Sequence, residues 1–155
     1  VQLAPTRGTV LNNYGTWLCA NGRAADSMSM FDGALADPAY ETPAAALANA
    51  GSCALGLGLP RAENDLRRAL ALDPANPVAL GGLAQLEYRA GNYLEARAFS
   101  ERRLAAAPAT REVLQLASQI EQKLGDTAAA ARYVQRINTE FPPAGAVPSG
   151  EASQR

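Results

Sequence analysis

The chain has no histidine and only two cysteines and one tryptophan among its 155 residues. Without histidine it lacks the side chain that most often serves as a general base or metal ligand near neutral pH. Its cysteines, at positions 19 and 53, form no Cys-x-x-Cys pair of the kind that binds zinc or exchanges disulfides. Charged residues make up 19% and the formal net charge is -1, so there is no surplus of Lys and Arg to attract nucleic acid or an anionic membrane surface. No window approaches the ~18 uninterrupted apolar residues of a membrane-spanning helix. The first residues lack the basic and apolar regions of a signal peptide, so an exported form would have lost its signal. No glycine-rich phosphate loop follows a strand pattern. These absences argue against an enzyme, a metal site and a cofactor, while 48% apolar residues are enough to build a core.

What is present is a repeat. Prolines that follow apolar runs stand at Pro5, Pro38, Pro74, Pro108 and Pro142, at intervals of 33, 36, 34 and 34. Between them, glycines that end apolar stretches stand at Gly22, Gly58, Gly91 and Gly125, at intervals of 36, 33 and 34. An alanine early in the next segment recurs at Ala62, Ala96 and Ala130, 34 apart. Glycine supplies the left-handed backbone that closes a helix, and proline cannot continue one. Each unit therefore reads as helix, tight turn, helix, stop. The alanine leaves room where the two helices approach, and Leu83, Leu86 and Phe99, or Leu114, Ile120 and Val134, are expected to supply the packing faces.

A period near 34 with this punctuation is that of the tetratricopeptide repeat, and predicts an all-α superhelix of antiparallel helix pairs. The repeats run from Gly8 to Tyr40, Thr42 to Asn76, Pro77 to Thr110 and Arg111 to Pro142, giving one domain over residues 1–142. "VQLAP" reads as the end of a second helix whose first helix is missing, so more repeats are expected upstream. Residues 143–155, rich in Pro, Gly and Ser, are expected to form a flexible tail.

First helices line the inner surface of such a solenoid, where ligands usually bind. With the closing glycines as register marks, this groove is expected to include Asn12, Asn13, Thr16, Asn49, Ser52, Gly81, Gly82, Gln85, Gln115 and Gln119. It is neutral. Tetratricopeptide co-chaperones that clamp a terminal carboxylate use Lys and Arg together with Asn. Here Asn13 and Asn49 match the Asn positions, but Gly82 and Leu116 follow at the later sites and no basic residue replaces the clamp. The glycines in "LGG" at 80–82 each cost a helix ~1 kcal/mol relative to alanine. They either let a partner backbone approach or mark a weak helix held by its neighbours. Asp65, Glu87, Glu101 and Glu112, and the arginines of "LRRAL" and "ERRL", read as solvated surface.

Cys19 and Cys53 fall near the glycine ends of adjacent first helices. Such helices lie side by side, which can bring the thiols within disulfide reach if their Cα atoms are within ~7 Å. Two buried thiols in a reducing compartment are the alternative. The bond is the expectation, because it would staple a glycine-rich junction by ~3 kcal/mol and belongs outside the cytosol.

"LNNYGTWLCANGR", followed by "FDGALADPAYETPAAALANAGSCALGLG", resembles the type IV pilus biogenesis and stability family, the PilF/PilW pilotins of Gram-negative bacteria. The matching features are Asn12-Asn13-Tyr14-Gly15, Leu18-Cys19, Ala36-Asp37-Pro38 with Tyr40, Thr42-Pro43, Asn49-Ala50-Gly51 and Cys53-Ala54. The likeness continues through "RALALDPANPVALGGLAQLEYRAGNYLEAR" to the last repeat. It implies a non-enzymatic outer-membrane lipoprotein at the periplasmic face, anchored by an N-terminal lipidated cysteine that precedes Val1. Its partners would be pilus secretin subunits, which it would help to reach the outer membrane and multimerise, and other pilus components. A general periplasmic scaffold and a cytosolic chaperone adaptor are the competing readings. Departures from the family are a turn one residue short at "LGLGLPRA", and Glu87 and Ser100 where bulkier apolar residues often sit.

Overall fold

A computed structural model describes residues 4–145 of the chain. They form eight α-helices with no strand among the described residues: α1 (Arg7–Ala20), α2 (Ala24–Leu35), α3 (Pro43–Gly56), α4 (Arg61–Leu72), α5 (Pro77–Ala90), α6 (Tyr93–Ala106), α7 (Arg111–Leu124) and α8 (Thr127–Glu140). Consecutive helices pair as α1–α2, α3–α4, α5–α6 and α7–α8. The helices fall into two compact units, Val1–Pro108 with three hairpins and Ala109–Arg155 with one.

Each hairpin turn is closed in the same way. Gly22, Gly58, Gly91 and Gly125 all have positive φ, between 68° and 82°. After each glycine the next backbone N–H donates to a carbonyl five residues back: Arg23 to Leu18, Leu59 to Ala54, Asn92 to Glu87 and Asp126 to Glu121. This wrap satisfies a carbonyl that the helix end would otherwise leave open. At the other ends, the side chains of Thr6, Asn76, Thr110 and Asp126 accept the N–H three residues on and cap α1, α5, α7 and α8. The short turn at "LGLGLPRA" is real: Ala62 stands four residues after its glycine, whereas Ala96 and Ala130 stand five after theirs. Ala4–Thr6 precede α1 without helical structure, and Val1–Leu3 lie outside the described residues, as does most of the expected tail.

Ala62, Ala96 and Ala130 are buried, which lets the paired helices close up. Leu83, Leu114 and Ile120 are fully buried, and Leu86 and Phe99 are half-buried. Val134 departs from expectation: it is 43% exposed, because no helix of its own unit covers that side of α8.

In the first unit the core is organised around Leu66 of α4, which is 0% exposed. A Cβ added to Gly51 of α3 would lie 2.6 Å from Leu66 Cγ, and one added to Gly82 of α5 would lie 2.9 Å from Leu66 Cδ2. The leucine is thus wedged between two glycine surfaces on successive first helices. Gly82 therefore serves neither of the roles read from "LGG", since the space beside it is filled by the chain's own side chain. Gly81 differs, with only the aliphatic part of Arg103 at 3.9 Å, an ordinary contact.

The two neighbouring glycines should consequently respond to alanine with opposite signs. Gly81→Ala should stabilise the protein by about 0.5–1 kcal/mol through helix propensity. Gly82→Ala should destabilise it by about 1–2 kcal/mol by overpacking against Leu66. Urea unfolding followed by circular dichroism reads both, and equal shifts for the two variants would refute the wedge.

Candidate functional site

Within the first unit α1 touches α3 and α3 touches α5, whereas each second helix touches only first helices. The stack is therefore tight on the first-helix side, which is its inner face. Across that face runs a polar ladder. Asn49 Nδ2 donates to Asn12 Oδ1 at 3.2 Å and to Thr16 Oγ1 at 3.3 Å, and Thr16 Oγ1 donates to the Asn12 carbonyl at 3.0 Å. Asn12 is only 8% exposed, so it braces the others more than it offers contacts. Asn13, Ser52 and Gln85 are exposed on α1, α3 and α5, and Gly81 is half-exposed beside them. Gly82, expected here, is in the core beneath Leu66. Gln115 and Gln119 are exposed on α7 of the second unit. Free amides and hydroxyls on a neutral surface can hydrogen-bond a peptide backbone, and nothing in the ladder supplies a charge or a nucleophile.

The ladder is backed by a covalent link. Cys19 and Cys53 are bonded, with Cα atoms 6.2 Å apart, and join the last turn of α1 to α3 across 34 residues. The Ser27 hydroxyl lies 3.3 Å from Cys53 Sγ and donates to the Ala24 carbonyl.

Two carboxylates expected at the solvated surface are instead buried. Asp65, 3% exposed, accepts from Arg61 Nε at 2.7 Å, and the same guanidinium reaches Asp32 of α2 at 2.7 Å. Those hydrogen bonds, to Asp32 first and then Asp65, raise the Arg61 pKa further above its already high ordinary value, against the cost of partial burial. Glu87, also 3% exposed, accepts from Asn92 Nδ2 at 2.8 Å and from Arg67 at 3.1 Å. A buried carboxylate is tolerable because these partners compensate its lost hydration. Glu101 and Glu112 are exposed as expected. The arginine runs are structural too. Arg67 bridges Glu63 and Glu87, Arg102 donates to the Pro74 carbonyl, and Arg103 caps the carbonyls of Ala107 and Pro108.

A feature absent from the sequence expectations is an apolar stripe on α1. Val10, Tyr14 and Trp17 are 52%, 45% and 54% exposed, and the two rings stack at 6.2 Å. Their spacing of four and then three residues was the available signal for one helix face.

The tetratricopeptide repeat family model matches residues 59–120. The fold is that of a tetratricopeptide-repeat protein. Among solved structures, PilW, described as a widely conserved type IV pilus biogenesis factor, is 35% identical, with a TM-score of 0.73 over 89% of this chain and 64% of that one. PilF of Pseudomonas aeruginosa is 23% identical, with a TM-score of 0.77 over 88% of this chain and 62% of its own, and MamA is 19% identical with a TM-score of 0.69 over 88% and 79%. The chain thus spans somewhat less than two thirds of PilW and PilF. No curated protein matches it in sequence. Tetratricopeptide repeats are protein-interaction scaffolds, and no described helix is long and apolar enough to cross a membrane.

Reduction should loosen the junction between the first two repeats. The bond closes a loop long enough to contribute about 3–4 kcal/mol on the chain-entropy account. Urea unfolding with and without reductant, with Cys19→Ser as a second route to the open form, should show a loss of that order, and thiol labelling of the unreduced protein should find no free cysteine.

Proposed function

We propose that the chain is the tetratricopeptide part of a type IV pilus pilotin, a non-enzymatic assembly factor that binds secretin subunits and promotes their multimerisation at the outer membrane. The observation that carries this reading is the likeness to PilW, 35% identical over 89% of the chain. The particular stretch from Leu11 to Ala54 supports it, as does the Cys19–Cys53 bond, which belongs to an oxidising compartment such as the periplasm. The same bond counts against a cytosolic chaperone adaptor.

In this reading the inner face of the first helices receives a secretin segment. Asn13, Ser52 and Gln85 would meet an extended backbone or a helix edge, with Asn49 held in place by Asn12 and Thr16. Gln115 and Gln119, on α7 of the second unit, carry the same neutral amide chemistry. A membrane contact would come only from a lipid anchor upstream, and the other pilus components remain candidate clients if the protein is a broader periplasmic scaffold.

Asn13→Arg places a charge on the exposed part of this surface without breaking the ladder. It should weaken binding of the isolated secretin subunit at least ten-fold while leaving helicity unchanged, as measured by biolayer interferometry and circular dichroism. In cells, loss of the full-length gene should remove the denaturant-resistant secretin multimer from the outer-membrane fraction. A multimer that assembles normally without the gene would refute the pilotin reading.

A further inference from the structure

The four hairpin turns share a closing glycine, but they differ in what that glycine's own N–H does. Gly58 donates to the Leu55 carbonyl, Gly91 to Tyr88 and Gly125 to Gln122, each at 3.1 Å. Gly22 makes no such bond, and among the described residues its N–H has no acceptor. The preceding residue differs as well. Leu57, Ala90 and Leu124 stand before the other three glycines, whereas Asn21 stands before Gly22, in the only Asn-Gly pair of the chain. Asn21 is exposed, and its Nδ2 donates to the Trp17 carbonyl at 2.8 Å. A Cβ added to Gly22 would meet nothing within 4 Å, so solvent reaches the pair.

An asparagine side chain places an electrophilic carbonyl within reach of the next backbone nitrogen, and the two can close a five-membered ring. A following side chain hinders that approach, and glycine has none. Closure needs Cβ and the Gly22 nitrogen on the same side of the Asn21 Cα–C bond. At the Asn21 ψ of 27° they are nearly opposite, so the turn must first open locally. Little resists that opening. It breaks the Arg23-to-Leu18 backbone bond and the exposed Asn21-to-Trp17 bond, while the bond that the other three closing glycines would lose is not there. Exposed helix ends of this kind open far more readily than a core.

We infer that Asn21-Gly22 is a self-modifying site, at which the folded protein deamidates without an enzyme. The Gly22 nitrogen bonds to Asn21 Cγ, the Cγ–Nδ2 bond breaks, and the Gly22 proton leaves with Nδ2 as ammonia. Water, the only co-reactant, then opens the succinimide at one carbonyl or the other, giving aspartate or isoaspartate. The product matters because Asn21 is the C-cap of α1, two residues from the cysteine that ties α1 to α3. A carboxylate there cannot donate to the Trp17 carbonyl, and it adds negative charge at the negative end of the helix. Isoaspartate also inserts a methylene into the main chain, inside the wrap from Arg23 to Leu18.

Incubation of the full chain in mildly alkaline buffer, followed by peptide mapping with mass spectrometry and by isoaspartate-specific methyl labelling, reads the site. Conversion at Asn21 should be at least ten-fold faster than at any other asparagine, with isoaspartate among the products. Asn21→Gln, which would need a six-membered ring, should stop it at this position. The rate should stay flat in urea concentrations below the unfolding transition, because the reaction needs only the turn to open. A rate at Asn21 no faster than elsewhere, or one that climbs with urea in step with the unfolded fraction, would overturn the proposal. The consequence for α1 has its own check. Asn21→Asp should lower the urea midpoint more than Asn21→Ala, which loses the hydrogen bond without adding the charge, and an equal or reversed order would overturn it.

Discussion

The insertion of Leu66 between Gly51 and Gly82 holds the first unit together. A leucine on a second helix reaches both its own partner helix and the first helix of the following repeat, and it can do so only because both surfaces lack a Cβ at the point of contact. The same device appears in a one-sided form at the preceding hairpin, where Phe31 of α2 lies against Gly15 of α1. Hairpin closure and hairpin stacking therefore share side chains. The inner face inherits its spacing from this arrangement, since the distance between α3 and α5 is set by how deeply Leu66 enters.

Polar groups are distributed in keeping with that core. Each repeat-to-repeat junction in the first unit is crossed by at least one hydrogen-bonded or covalent link between distant positions: Arg61 to Asp32, Arg67 to Glu87, Asn49 to Asn12, and the disulfide. Packing in repeat arrays is non-directional and nearest-neighbour, so a register slip between hairpins costs little apolar contact. Directional links make such a slip expensive, because the buried carboxylate of Glu87 would lose Arg67 of the preceding hairpin.

How much of this was legible in the sequence depended on whether the signal was local. The helix-closing glycines and the small alanines were visible because each acts within a few residues of itself. So was the disulfide, given the stacking of adjacent first helices. Glu87 was misplaced on the surface because its partner Arg67 lies 20 residues away, and Asp65 because the arginine that holds it is itself fixed to Asp32, 29 residues from that arginine. The i,i+4 pairing of Arg61 with Asp65 was in view, but pairing alone does not reveal burial. Gly82 and Val134 failed for a related reason: periodicity states which way a residue faces, and not whether another element is there to meet it. For the inner face, helix register identified Asn13, Ser52 and Gln85 as exposed, while the hydrogen bonds among Asn12, Thr16 and Asn49 depend on the approach of α1 to α3.

The disulfide has a mechanical consequence. Joining Cys19 to Cys53, 34 positions apart, removes the stretch between them from the load path of any force that pulls the chain from its ends. Fully extended, that stretch would lengthen the molecule by roughly 110 Å at the usual reach per residue. With the bond intact, tension passes from α1 directly to α3, and the second helix of the first hairpin carries none of it. Pulled from its ends, the molecule would then lose its other helical segments to force while the stretch enclosed by the bond added nothing to its length.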